Sequence, residues 1–380
     1  MKDLTYGNEG KLIFYFALPM LIGNIFQQLY NTVDSVIVGR TIGKAALAAV
    51  GASFPVLFLL VALITGITMG STVLIAQFFG AKDIARVKRT IDTTYIFLFF
   101  TAVATTFWGL VFCEHMLRLL KTPAEILPAA KEYLSVIFAG ITAMYGYNFI
   151  SAVLRGLGDA KTPLYFLIVA TMVNIILDLV FILVFKWGVA GAAWATVIAQ
   201  GISFMAGVRY VNKTHKVFKF NFMKTVVFDW EIFKLGLKIG LPTGIQQMLV
   251  AAGFMALSRI VNGFGTDTIA AYIAASRLDS FAMMPAMNIL AAVSTFVGQN
   301  LGANKPERVK KGFQAAFSIS TIISVVTTAI VVVFAEPLIE LFNSDPDVIT
   351  IGASYLRIVG SFYVFFSTMF IIAGVLRGAG

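Results

Sequence analysis

The sequence predicts an all-α, polytopic membrane protein, and three observations carry that reading: its composition, the length of its apolar runs and an internal repeat. Hydrophobic residues make up 59% of the 380 and charged residues 13%, roughly half the charged share of a soluble domain. With a mean hydropathy of +0.87, such a chain lacks the polar groups to cover a water-facing surface. Crossing a bilayer takes roughly 20 apolar residues in a helix, and stretches such as 93–112 and 317–335 meet that length. Lipid is therefore the solvent.

Ten spans follow from hydropathy, at about 11–38, 47–79, 88–113, 127–154, 162–185, 188–211, 230–262, 269–300, 307–334 and 348–376. The first is too long for the core of a signal peptide and reads as a retained span. Lys and Arg cluster on alternate loops, at 80–89, 155–161, 209–224 and 302–311, which carry fifteen of them. The intervening loops hold few, and 334–347 offers Glu336, Glu340, Asp345 and Asp347 with no basic residue. By the positive-inside rule the first set is cytoplasmic, and so is the N-terminus. The net charge of +10 thus reflects topology, and no nucleic-acid partner is expected.

A shift of 222 residues aligns the chain with itself. Gln77, Gly80, Ala81, Arg86, Val87 and Lys88 fall on Gln299, Gly302, Ala303, Arg308, Val309 and Lys310, and Tyr133-Leu134 falls on Tyr355-Leu356. Val153-Leu154-Arg155-Gly156 falls on Val375-Leu376-Arg377-Gly378. Six spans separate the copies, so the halves are parallel repeats about an axis along the membrane normal. The predicted organisation is an N-terminal lobe of six helices over 1–215, a cytoplasmic linker over 216–229 and a C-terminal lobe over 230–380. That second lobe holds four helices, about ten of twelve spans in all, and is expected to leave an open groove exposing Gly244, Gln247 and Ser258. The basic, aromatic stretch Lys216–Lys224 is expected on the inner leaflet.

Ionisable residues within the spans are scarce, because a charge at the bilayer centre costs at least about 2.5 kcal/mol. Asp34 shares one helical face with Gln27, Tyr30 and Asn31, at i, i+3, i+4 and i+7. Asp178 has Asn174 four residues before it, and the sixth span supplies Thr196 and Gln200, also four apart. Carboxylates, an amide and a hydroxyl facing one cavity offer hard oxygen ligands for a small cation, or a pair of acids that can share a proton. Interhelical hydrogen bonding is the alternative reading for Asn174, Thr196 and Gln200. Arg277 and Asp279 read as a local ion pair or interface anchor. One cysteine and two histidines without an acidic cluster supply no enzymatic nucleophile or metal constellation, and no Walker pattern is present. An enzyme is not expected, nor any cofactor.

Ala17-Leu18-Pro19-Met20, Tyr30-Asn31-Thr32-Val33-Asp34, the Gly80-Ala81 loop, Val153-Leu154-Arg155-Gly156 with Asp159 and Pro163, and Val297-Gly298-Gln299-Asn300-Leu301-Gly302-Ala303 together resemble the multidrug and toxic compound extrusion (MATE) family. The likeness spans the whole chain. It implies two six-helix lobes that alternate access, with a bend at Pro19 and a cation gradient of H⁺ or Na⁺ driving antiport of lipophilic or cationic organic compounds. Asp34, Asn174, Asp178 and Thr196 resemble the first-lobe cation site of the DinF-like, MepA-like branch, with Gln27, Tyr30, Asn31 and Gln200 lining the substrate cavity. The NorM branch adds a glutamate on helix seven and an aspartate on helix ten. Here Gln246, Gln247 and Met248–Ala252 carry no acid, and helix ten carries Arg357, so the resemblance places coupling in the first lobe. A flippase of lipid-linked oligosaccharides would share the fold, but its cavity would need cations to meet pyrophosphate. The expected setting is a prokaryotic cell membrane, with small organic cations or drugs and membrane lipids as partners and the chain a monomer.

Overall fold

The computed structural model describes residues 3–214 and 227–380. Among these residues there are helices and no strands: α1 (Glu9–Thr41), α2 (Lys44–Gly80), α3 (Ile84–Leu119), α4 (Leu127–Ala139), α5 (Ile141–Gly156), α6 (Lys161–Leu179), α7 (Gly188–Thr214), α8 (Trp230–Val261), α9 (Thr266–Gly302), α10 (Pro306–Val333), α11 (Ala335–Glu340), α12 (Pro346–Gly360) and α13 (Tyr363–Ala379). Eight are long and apolar enough to cross a membrane, counting the π turn Val180–Val184 with α6. The pairs α4–α5 and α12–α13 are bent by 52° and 45°, and counting each as one broken span gives ten. The linker read at 216–229 and the inner-leaflet stretch Lys216–Lys224 lie, up to residue 226, outside the described residues.

The described chain forms two compact units, and their boundaries differ from the division read at 215 and 230. One unit is Ile22–Gly244, and the other joins Asp3–Leu21 to Ile245–Gly380. Both changes of unit fall inside a helix, and each comes two residues after a proline, Pro19 in α1 and Pro242 in α8. Proline lacks the amide hydrogen and crowds the preceding turn, so a helix can change direction there without losing further hydrogen bonds. Hydropathy cannot register that, because each helix reads as one continuous apolar span through its proline.

In the first unit the core gathers buried aliphatic and aromatic residues of α2–α5 and α7, with Tyr145, Phe138 and Phe149 among its largest fully buried side chains. The start of α8 closes on α2. Val73 and Leu74 pack with Ile232 and Ile239, while Gly66 and Gly70 face the backbone of Gly240 and Gly236 so closely that a Cβ on Gly70 would stand 2.2 Å from a carbonyl oxygen. Small residues at such crossings are how helices associate where lipid supplies no hydrophobic drive. In the second unit α9 is central and packs on α10, α12 and α13, with a core of Ala271, Ala274, Ala275, Val331, Ile339, Val348, Leu356 and Tyr363. Its N-terminal segment is held to the end of α9: the Leu4 amide donates to Gln299 Oε1 at 3.0 Å, and Asn300 Nδ2 donates to the Leu4 carbonyl at 3.2 Å. Arg308 bridges to Glu9 at 2.9 Å. No residue between Ile245 and Gly265 is buried.

The repeat recurs in backbone detail at the same 222-residue offset. Gly43 and Gly265 precede α2 and α9 with φ of 113° and 94°, and Lys82 and Asn304 follow the same helices with φ of 59° and 56°. In each copy the residue after this left-handed one returns its amide to a carbonyl in the last turn, Asp83 to Phe78 at 2.9 Å and Lys305 to Asn300 at 2.8 Å. This closure satisfies carbonyls that the helix end would otherwise leave bare.

Candidate functional site

Three helices of the first unit bring the predicted residues together. The α1 hydroxyl of Tyr30 lies 3.0 Å from Thr196 Oγ1 on α7, and Asn174 Nδ2 on α6 donates to the same oxygen at 3.4 Å. A narrow cleft beside them is lined by Gln27, Tyr30, Thr171, Asn174, Thr196 and Gln200, with Leu167, Ala170 and Ala199 as its apolar wall. Asp34 and Asp178 do not line this cleft. Each follows a cleft residue by one helical turn, Asp34 after Tyr30 and Asp178 after Asn174, an advance of about 6 Å along the axis. Their carboxyl groups are near enough to one another to interact electrostatically.

Burial makes this arrangement chemically demanding. Asp178 is 0% exposed, Asn174 1% and Asp34 8%. Asp34 Oδ1, both Asp178 oxygens, Asn174 Oδ1, Thr171 Oγ1 and Gln200 Oε1 are buried and receive no hydrogen bond from any described donor. Facing acceptors of this kind repel one another unless a proton or a cation lies between them. Among the described residues no Lys or Arg forms an ion pair with either aspartate. The set therefore has vacant acceptor capacity for H⁺ or a small hard cation.

Asn31 departs from the expectation. It is exposed, its side chain reaches Gln28 at 3.4 Å, and it is absent from the cleft wall, because its position on α1 turns away from α6 and α7. Three participants were not singled out from sequence as site residues. Thr171 stands one turn before Asn174 and could have been found by its spacing of three. Tyr133 on α4 lies within electrostatic range of Tyr30, Asp34 and Asp178, but its only sequence signal was a match to Tyr355. The π turn Val180–Val184 begins two residues after Asp178. Single π turns concentrate at functional sites because they shift side-chain register within a helix, and nothing in an apolar run announces one.

Apolar helices crossing a bilayer, with a buried acid pair inside one of two repeated units, define a polytopic membrane transporter. The sequence model of the MatE family matches the chain twice, over residues 19–180 and 242–380. Over 378 residues the chain is 37% identical to the probable multidrug resistance protein YpnP of Bacillus subtilis, covering all of this chain and 84% of that one. It is 34% identical to the probable multidrug resistance protein YoeA of the same organism, covering 96% and 80%. A solved structure described as the outward-facing conformation of a multidrug resistance MATE family transporter superposes with a TM-score of 0.91 at 26% identity, covering 100% of this chain and 85% of that one. The chain belongs to the MATE family. It is a transporter and not an enzyme.

Proposed function

We propose that this chain is a multidrug exporter, which expels lipophilic or cationic organic compounds from the cell by antiport against H⁺ or Na⁺. The observation that carries the proposal is the buried pair Asp34 and Asp178, side by side with three of their oxygens lacking any donor. Such a pair binds one positive charge and loses it again at modest cost, as an ion-coupled cycle requires. Asn174 and Thr196 complete an oxygen-rich surround, and Gln27, Tyr30 and Gln200 line the cleft one turn away, where an organic cation and the coupling ion would sense each other. The names of the relatives, multidrug resistance proteins, support the choice of cargo. The chain would reside in the cell membrane with its N-terminus inside, act as a monomer, and bend at Pro19 as the site changes charge.

The test is efflux of a fluorescent organic cation from reconstituted vesicles, with a proton or a sodium gradient imposed in turn. One of the two should accelerate efflux. Equal efflux with neither gradient present would refute antiport.

A further inference from the structure

The second unit carries a buried acid of its own that the MATE coupling chemistry does not account for. Asp279 on α9 is 8% exposed, and the local ion pair expected with Arg277 does not form: Arg277 is exposed, and no described cation lies within ion-pair distance of Asp279. Instead the Tyr355 hydroxyl on α12 donates to Oδ2 at 3.0 Å, and the Tyr363 hydroxyl on α13 donates to Oδ1. Those tyrosines are eight residues apart, about 12 Å along a straight helix. The 45° break between α12 and α13 is what lets both reach one carboxyl. Tyr272 of α9 packs edge-on against Tyr355, with ring centroids 5.8 Å apart.

The internal repeat supplies a control. At the 222-residue offset, Val50, Leu57 and Ile141 stand where Tyr272, Asp279 and Tyr363 stand, and they belong to the apolar packing of the first unit. The fold therefore closes at these positions without any polar group. Only Tyr133, the counterpart of Tyr355, is shared, and it lies within electrostatic range of Asp34 and Asp178. The tyrosine position thus lies near acids in each copy, but it donates a hydrogen bond to a carboxyl in the second, where α9 supplies Asp279.

We infer that Asp279, held by Tyr355 and Tyr363, is a second proton-binding site, built into the second unit and independent of Asp34 and Asp178. A proton suits it better than a metal ion, because both carboxylate oxygens already face O–H hydrogens and a metal would need lone pairs turned inward. Phenol hydroxyls rotate and can accept as well as donate, so the cluster accommodates the neutral acid by reversing one hydrogen bond. The other titratable groups on the helices that supply or flank it are Asp267, Tyr272 and Arg277 on α9, Asp347 and Arg357 on α12, Arg377 on α13, and Glu336 and Glu340 on α11; Arg357 and Glu336 pair with each other at 2.9 Å. Residues 312–333 of α10 contain no charge. An uncompensated charge at this depth is costly, and one proton removes it.

The experiment is pH-difference infrared spectroscopy on the purified full chain in lipid nanodiscs, read in the carbonyl stretch of protonated carboxyls. In an Asp34→Asn/Asp178→Asn background, which already lacks the first-unit acids, a carboxyl band should remain. It should vanish on adding Asp279→Asn and shift in frequency with Tyr363→Phe, which keeps the acid but removes one hydrogen bond. A spectrum unchanged by both substitutions would overturn the site. So would a band absent from the double-Asn background. Neither outcome bears on whether Asp34 and Asp178 drive efflux, which is read by transport alone.

Discussion

Thr196 Oγ1 lies 3.0 Å from the Tyr30 hydroxyl and 3.4 Å from Asn174 Nδ2, so one threonine oxygen ties α1 and α6 to α7. Replacing it with valine preserves shape but leaves two polar groups without this partner, a loss of about 1–3 kcal/mol when such groups are buried. Thr196→Val should lower the melting temperature in detergent and reduce efflux, whereas Thr196→Ser, which keeps the oxygen, should restore most of both. A valine variant with wild-type stability and efflux would show that the oxygen holds nothing together.

Asp34→Asn and Asp178→Asn each remove the charge at nearly constant volume. Either change should abolish gradient-driven efflux while the protein still inserts and purifies as a folded species. Vesicle efflux with normal yield and a normal elution profile is the measurement, and wild-type efflux in either variant would count against a coupling role.

Gly156 and Gly378 occupy the same place in the two copies. A Cβ on Gly156 would meet the Thr72 carbonyl at 2.9 Å, and one on Gly378 would meet the Ser294 carbonyl at 2.5 Å, with Ile75 and Val297 alongside. Each alanine substitution should destabilise by about 1–3 kcal/mol through overpacking, visible in thermal unfolding. The prediction fails if both variants unfold at the wild-type temperature.

Pro19 has no amide hydrogen for the carbonyl four residues before it, so Pro19→Ala should straighten and stiffen α1. Efflux should fall while binding of the fluorescent cation to the detergent-solubilised protein stays within about twofold, a shift of roughly 0.4 kcal/mol. Unchanged transport would remove the bend from the cycle.

The only cysteine, Cys113, is fully buried, so introduced cysteines can be labelled selectively. A cysteine at Lys310 should react with a membrane-impermeant maleimide only from the cytoplasmic side, and one at Asn343 only from outside. The opposite pattern would invert the topology inferred from loop charge.

Much of this protein was legible in one dimension. Lipid as solvent, the helix positions and the repeat followed from apolar length and residue identity alone, because a backbone in hydrocarbon must satisfy its own hydrogen bonds and only a helix does so within one segment. The acids Asp34 and Asp178, with Tyr30, Asn174 and Thr196, stood out for the same reason: polar residues at helical spacing in a membrane span are too costly to be incidental.

Periodicity, however, fixes which residues share a face of one helix and not which neighbour that face meets. Asn31 shares a stripe with Asp34 yet turns outward, Thr171 joins the cleft without having been singled out, and Asp279 finds tyrosines from two other helices where sequence offered the adjacent Arg277. The same limit hid the proline-marked changes of unit in α1 and α8. The sequence alone determined what each helix has to bury. Packing decided with whom, because convergence depends on crossing angles, bends and rotamers that are set only when the helices meet.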